Sequence, residues 1–233
     1  MDNHVNEIRE LSNKINSCFN NADYTTAIKY AVKSLDIVEK HLGKDDPTYI
    51  PALNNLAVLY NEVGQNNKAE NLYIQILNFL KTRKNKNLPE YGAYLNNIAE
   101  FYRKIGKKSE ADNLYAESIA IKQINIKNNS SDYALTVNNR ALFYKNNGEL
   151  EKAELLYKEA LELMRESVGN NHKDVALILN NLAGLYRTKF NYSKAIPLAE
   201  EALQIYRIVL GEDHPEFINT SENLALLYNE SKS

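Results

Sequence analysis

The chain has 233 residues, of which 44% are hydrophobic and 25% are charged, a composition typical of a folded protein. Its net charge of -2 gives no general attraction to nucleic acid or to an anionic membrane surface. The single cysteine, Cys18, excludes an intrachain disulfide, and no apolar run approaches the roughly 18 residues of a membrane span. Because the N-terminus is polar and unlike a secretory signal, we expect a cytoplasmic protein without membrane insertion.

The predicted elements follow one another in chain order as units of constant length. The tetrad Asn54–Ala57 recurs at 96–99, 138–141 and 180–183, and more weakly at 222–225, each time 42 residues further on. A tyrosine and an alanine keep the same step, at Tyr60, Tyr102, Tyr144, Tyr186 and Tyr228 and at Ala27, Ala69, Ala111, Ala153 and Ala195. No insertion interrupts this spacing, so the sequence predicts an array of internal repeats.

Each unit is predicted to form two helices. The first carries an apolar stripe at positions i, i+3, i+4 and i+7, formed by Leu53, Leu56, Ala57 and Tyr60. The second carries another stripe, formed by Ala69, Leu72, Tyr73, Ile76, Leu77 and Leu80. Glycine follows the first helix at Gly64, Gly106 and Gly148, where it permits a left-handed turn. Stacked pairs bury stripes that a lone pair cannot, so we predict repeats at 6–41, 48–83, 90–125, 132–167 and 174–210, and an unpaired terminal helix at 216–230.

These motifs resemble the tetratricopeptide repeat. The spacing of its signature is matched by Leu56, Ala57, Tyr60, Gly64, Ala69 and Tyr73. The unit of 42 residues exceeds the usual length of about 34 and is similar to that of kinesin light chain and nephrocystin-3-like proteins. The resemblance covers nearly the whole chain. It implies an all-α fold, a right-handed superhelical solenoid of antiparallel helix pairs, and a function in protein–protein interaction.

Several positions depart from the repeat pattern. The first unit has Ser12 and Cys18 where asparagine and tyrosine are expected, so we interpret it as a degenerate, capping repeat. Phe190 replaces the turn glycine, and we expect Asn191 to take the left-handed position instead. Gly184 lies inside a predicted helix, where it either opens space in a groove or is tolerated at a cost of about 1 kcal/mol relative to alanine.

The same resemblance places peptide-binding residues on the first helix of each pair, which lines the concave surface in this family. The matching positions here are Asn54, Asn96, Asn138 and Asn180, followed by Asn61, Arg103, Lys145 and Arg187. An asparagine amide offers two donor hydrogens and one acceptor, so it can bind a peptide backbone whatever the side chains. The basic residues would favour an acidic ligand, although Glu62, Glu100 and Glu230 dilute this charge. Alternatively, the asparagines bond one another between repeats, above all the second of each Asn-Asn pair.

No motif in the sequence indicates an enzyme. HExxH, CxxC, GxSxG and phosphate-binding loops are absent, and His172 and His214 are 42 residues apart, which repetition explains better than catalysis. We predict a non-enzymatic module that binds a protein or peptide, with no cofactor, no metal and no nucleic-acid partner. Two alternatives are a scaffold that self-associates through its convex surface or terminal helix, and a regulatory domain of a larger protein. The terminal helix is expected to turn Leu224, Ala225 and Tyr228 towards the preceding pair and to leave its other side bare.

Overall fold

The computed structural model describes residues 2–82, 89–124 and 130–232. These residues form eleven α-helices joined by short connections, with no β-strand among them. They fall into two compact units, residues 1–107 and 108–233. The predicted all-α fold is therefore confirmed.

Unit one contains five α-helices and one turn of π-helix, in which consecutive helices pack on one another. They are α1 (Asp2–Asn20), α2 (Tyr24–Ile37), the π-helical turn (Val38–Leu42), α3 (Tyr49–Glu62), α4 (Asn66–Thr82) and α5 (Pro89–Lys104). The core contains the periodic alanines Ala27, Ala57 and Ala69, none of which has any exposed surface. Buried aromatic rings join α4 to α5, since the ring centroids of Tyr73 and Phe101 are 5.0 Å apart. Small and large side chains thus alternate in the core, as dense helix packing requires.

Unit two contains six α-helices, which also pack in sequence. They are α6 (Lys108–Ile124), α7 (Ser130–Asn146), α8 (Leu150–Val168), α9 (Lys173–Thr188), α10 (Tyr192–Val209) and α11 (Pro215–Glu230). Tyr115 and Tyr157, which occupy the same position 42 residues apart, are both fully buried. No described helix of either unit is long and apolar enough to cross a lipid bilayer.

Within each unit, three-residue turns join α1 to α2, α3 to α4, α7 to α8 and α9 to α10, so the two helices of each of these pairs run antiparallel. The turn between α3 and α4 contains Gly64 with φ +72°, and that between α7 and α8 contains Gly148 with φ +81°. The predicted left-handed conformation of these glycines is confirmed. The predicted repeat bounds themselves, including the degenerate first repeat at 6–41, stay a prediction, and two of them, at 83 and 125, fall outside the described residues.

The turn between α9 and α10 corrects one expectation. Phe190 itself takes the left-handed conformation, with φ +55°, although its side chain is 78% exposed. Asn191 has φ −97° and instead accepts a hydrogen bond from the backbone N–H of Lys194, which caps the start of α10. The cap needs a side-chain oxygen at this position, which Asn191 provides. The strained left-handed conformation is therefore adopted by Phe190.

Replacing Phe190 by glycine is expected to stabilise the protein by about 1 kcal/mol, because a left-handed residue with a side chain is strained and glycine is not. The measurement is the urea concentration at the midpoint of unfolding, followed by circular dichroism. The matched control is Gly148→Ala, which places a side chain at φ +81° and should shift the midpoint in the opposite direction. Shifts of the same sign in both variants would contradict this explanation.

The terminal helix α11 buries other side chains than those predicted. Its buried side chains are Thr220 and Leu227, while Ala225 and Tyr228 are exposed. Tyr228 still contacts the preceding helix, because its hydroxyl donates a hydrogen bond to Glu200 of α10. Its ring is 40% exposed, whereas the equivalent ring of Tyr186 is buried and lies beneath the ammonium group of Lys194. No helix after α11 is described that could cover Tyr228 in the same way.

Candidate functional site

The eight predicted peptide-binding residues are divided between the units. Four lie on α3 and α5 of unit one, namely Asn54, Asn61, Asn96 and Arg103. The other four lie on α7 and α9 of unit two, namely Asn138, Lys145, Asn180 and Arg187. In unit two the structure brings Lys145, Asn180 and Arg187 to one cavity.

This cavity lies between α9 and α11 and has a volume of about 770 Å³. Helix α7 contributes one residue to the lining, Lys145. The other lining residues come from α9, from the turn after it, from the start of α10 and from α11. They are Asn180, Asn181, Ala183, Gly184, Arg187, Thr188, Phe190, Tyr192, Asn223, Leu227 and Glu230. We call it the unit-two groove. Apolar and amide groups surround two cations and one carboxylate, so the groove suits a ligand with both apolar and polar parts.

Lys145 is the most unusual group of the unit-two groove. Burial lowers the pKa of its ammonium, and the positive charge of Arg187 lowers it further. Among the described residues no carboxylate pairs with it. Its Nζ atom lies against Gly184, where an added β-carbon would be only 3.0 Å away. The glycine therefore leaves room for this side chain, and the partly desolvated cation has no counter-charge in the described part of the chain.

Arg187, in contrast, already has an acidic partner. Its Nε atom donates to Oε2 of Glu230 at 2.9 Å, and its Nη2 atom donates to Oε1 at 2.5 Å. This two-point contact joins α9 to α11, raises the pKa of Arg187 and lowers that of Glu230. Of the two cations in the groove, one is therefore neutralised within the protein.

The asparagines form the same link in both units. The amide nitrogen of Asn181 donates to the carbonyl oxygen of Asn138 at 3.0 Å, and that of Asn97 donates to the carbonyl oxygen of Asn54 at 3.2 Å. The second asparagine of one repeat thus bonds the first asparagine of the repeat before it. Asn138 is only 2% exposed, so its carbonyl serves this link, and its part in ligand binding stays a prediction.

Replacing Asn138 by alanine is expected to lower the free energy of unfolding by about 1 kcal/mol, because Asn138 is only 2% exposed and the half-buried amide of Asn181 would lose its acceptor. Asn180→Ala is the matched control, since Asn180 is half-buried and should change stability by less than about 0.5 kcal/mol. Both values can be obtained from urea denaturation. If both substitutions lower the free energy of unfolding equally, the hydrogen bond between Asn181 and Asn138 does not contribute to stability as expected.

Two of the predicted residues of unit one, Arg103 and Asn54, already have partners within that unit. Arg103 forms an ion pair with Glu100 one turn earlier on α5, with Nη2 and Oε2 2.9 Å apart. Its neighbour Lys104 pairs with Glu62 of α3 at 3.2 Å. Asn54 is half-buried, and its carbonyl is occupied by the link to Asn97. The cations here are thus paired with acids, unlike Lys145.

The sequence did not identify Phe190, Tyr192 or Leu227 as groove residues. Two signals for the position of the groove were present, since Gly184 and Phe190 both break the repeat pattern and both line this cavity. Glu230 was expected only to dilute the charge of the groove, and nothing in the sequence indicated its pairing with Arg187, which is 43 residues away.

The two periodic histidines have a structural task. The Nδ1 atoms of His172 and His214 accept hydrogen bonds from the backbone N–H groups of Asp174 and Glu216, each at 3.2 Å. They cap the starts of α9 and α11, the helices that form two walls of the groove. Within residues 2–82, 89–124 and 130–232, no group of three or more metal-ligating side chains occurs.

Antiparallel helix pairs with a periodic core and a repeated asparagine link define a helical repeat protein. The family model of the tetratricopeptide repeat matches residues 8–82, 52–124, 132–208 and 174–232, which together include most of the chain. The chain therefore belongs to the tetratricopeptide repeat family. Proteins of this family bind other proteins and are typically non-catalytic.

Solved structures with the same fold include kinesin light chain-like proteins. The chain is 27% identical to BtubC (BKLC) from P. vanneervenii, with 90% of this chain and 84% of that chain covered and a TM-score of 0.76. It is 19% identical to repeats of a putative kinesin light chain from P. anserina, with coverages of 86% and 95% and a TM-score of 0.73. PilF of Pseudomonas aeruginosa is 16% identical, with coverages of 99% and 97% and a TM-score of 0.61. No curated protein sequence matches the chain significantly. The predicted resemblance to the kinesin light chain type is confirmed.

Proposed function

We propose that this chain is a non-enzymatic, cytoplasmic module that binds an acidic peptide segment of another protein in the unit-two groove. The observation that carries the proposal is the ammonium of Lys145, which is partly desolvated and has no acidic partner among the described residues. It faces a cavity of about 770 Å³, which is large enough for several side chains of a peptide.

A carboxylate is the ligand group that complements this site best. The charge of Lys145 is disfavoured by burial, and a carboxylate within hydrogen-bonding distance would offset that cost. Asn180 lines the same cavity and can donate to the backbone carbonyl groups of an extended peptide. Phe190, Tyr192 and Leu227 add apolar surface for a neighbouring side chain of the peptide. These groups support recognition of an acidic residue next to an apolar one.

The remaining predicted residues are proposed as secondary contacts. In unit one, Asn54, Asn61 and Asn96 would bind the backbone of a longer peptide, while Arg103 would bind acidic side chains only in competition with Glu100. The amide of Asn138 would reach a ligand only by giving up some of its burial. We therefore expect unit two to supply most of the affinity.

The test uses peptides that carry one tryptophan among aspartates, because the protein itself contains no tryptophan. Peptide fluorescence is followed during titration with the wild type, with Lys145→Met and with Lys173→Met. The control residue Lys173 is exposed at the start of α9, outside the lining of the groove. We expect Lys145→Met to weaken binding about tenfold, since a hydrogen bond to a charged group is lost. Lys173→Met should have little effect, and added salt should weaken binding to the wild type.

Absence of saturable binding by the wild type, or equal effects of the two lysine substitutions, would contradict the proposal.

Self-association is a second candidate, favoured by the apolar side chains on the outer face of α11. Ile218 and Leu226 are each 45% exposed there, and Tyr228 is 40% exposed. Sedimentation velocity over a hundredfold range of concentration would detect dimers. A shift to monomer in Leu226→Lys, with peptide binding unchanged, would support self-association as a separate function.

A further inference from the structure

Glu230 stands apart from the other acidic residues near the unit-two groove. It is the carboxylate that lines the cavity, and it binds Arg187 through both of its oxygens. The contact crosses from α11 to α9, so it is not a pairing of neighbours on one helix. Glu230 therefore occupies the position next to Arg187 that a second acidic side chain of a bound peptide would take.

We propose that Glu230 is a specificity-determining residue, which keeps Arg187 occupied and leaves Lys145 to recognise a single acidic group of the peptide. This inference rests on the proposed function. The groove then distinguishes peptides by the presence of one well-placed carboxylate and is largely indifferent to a second. Without Glu230, the groove would prefer peptides that carry two acidic residues.

The physical basis is an exchange of one carboxylate for another. Arg187 can bind a peptide carboxylate only after its ion pair with Glu230 breaks. One ion pair replaces another, so their number does not change. The side chains of Arg187 and Glu230 are 39% and 35% exposed, so water can reach both and the released carboxylate is readily hydrated. The gain from the second acidic residue is therefore small in the wild type.

Lys145 differs from Arg187, because no described carboxylate has to leave before a peptide carboxylate can bind to it. Its ammonium makes no ion pair with a described residue, so the first peptide carboxylate adds a contact that the free protein lacks. The two cations are close enough for the charge of Arg187 to act on Lys145. An acidic peptide that reaches Lys145 therefore also meets the Arg187–Glu230 pair.

The test compares Glu230→Gln with Glu222→Gln. Both substitutions lie on α11 and remove one negative charge, but Glu222 is exposed and does not line the groove. The probes are decapeptides with one tryptophan and with one or two aspartates, the second aspartate being placed one to four residues after the first. Circular dichroism checks that both variants keep their helical content. The measured quantity is the ratio of dissociation constants between the peptides with one and two aspartates.

In the wild type and in Glu222→Gln, we expect the second aspartate to improve affinity less than about twofold at every spacing. In Glu230→Gln, the best spacing should improve affinity about three- to fivefold, which is the range of a partly exposed ion pair. Equal ratios in the two variants, or a large ratio already in the wild type, would overturn the inference. The proposed function fails separately, if the peptide with one aspartate does not bind the wild type or binds Lys145→Met equally well.

Discussion

Asp132→Ala is expected to lower the free energy of unfolding by about 2–3 kcal/mol, the largest effect on stability that we predict. Lys122 of α6 is only 2% exposed, and its Nζ atom donates to Asp132 Oδ1 at 2.8 Å and to Thr136 Oγ1 at 2.7 Å. Burial lowers the pKa of Lys122, and the hydrogen bond to Asp132 opposes that shift. Breaking a fully buried pair costs roughly 3–5 kcal/mol, but the side chain of Asp132 is 45% exposed, so we expect less here.

Lys122→Met provides the control for this interpretation. Methionine fills a similar volume without a charge, so it should stabilise or only slightly destabilise the protein. In the Lys122→Met background, Asp132→Ala should then cost less than about 1 kcal/mol, which allows for the loss of an acidic residue at the start of α7. Urea denaturation of the four proteins gives the coupling energy between the two side chains. A coupling energy near zero would contradict the assignment.

Gly184→Leu is expected to weaken binding of the acidic peptide by at least about tenfold, since the bond between Lys145 and a carboxylate would be lost. Leucine is the residue at the equivalent position one repeat earlier, Leu142. In the present structure even a β-carbon at position 184 would lie 3.0 Å from Lys145 Nζ. A larger side chain would therefore displace the ammonium and fill part of the groove.

Although Gly184→Leu should bind the peptide more weakly, its free energy of unfolding should be higher than that of the wild type. Gly184 lies within α9, where glycine costs about 1 kcal/mol relative to a good helix former. Gly184→Ala should retain most of the binding, because the flexible end of Lys145 can shift by a few tenths of an ångström. Fluorescence titration and urea denaturation of both variants measure the two effects. Full binding by Gly184→Leu would show that Lys145 does not need the space that the glycine leaves.

The periodicity of the sequence was sufficient to predict the helical fold. Ala57 and Ala69 were predicted to lie on the apolar stripes of their helices, and both are fully buried in the structure. Three predicted binding residues, Lys145, Asn180 and Arg187, do line one cavity. Both placements have one cause, since the position of a residue within a repeat determines which face of its helix it occupies, while the role of the three residues in binding stays a prediction.

Features that depend on individual side chains could not be obtained from periodicity. The pairing of Arg187 with Glu230 joins different repeat positions and depends on the rotamers of two long side chains. We predicted the left-handed conformation at Asn191, because asparagine tolerates it better than phenylalanine does. In the structure Asn191 caps the start of α10, and Phe190 takes the left-handed conformation. The exposure of Ala225 and Tyr228 was not predicted because the stripe of α11 was taken over from the preceding repeats, in which the equivalent residues Ala183 and Tyr186 are buried.

The terminal helix α11 forms one wall of the unit-two groove and buries few side chains. Local opening of a protein begins in elements that bury little apolar surface, and in α11 the buried side chains are Thr220 and Leu227. A peptide that contacts both α9 and α11 would bind only while these two helices stay packed together. By mass action, such a ligand would slow the fraying of the helix that helps to hold it. The ligand would then stay bound no longer than the helix stays docked, and its binding would increase the protection of the α11 amides from hydrogen exchange.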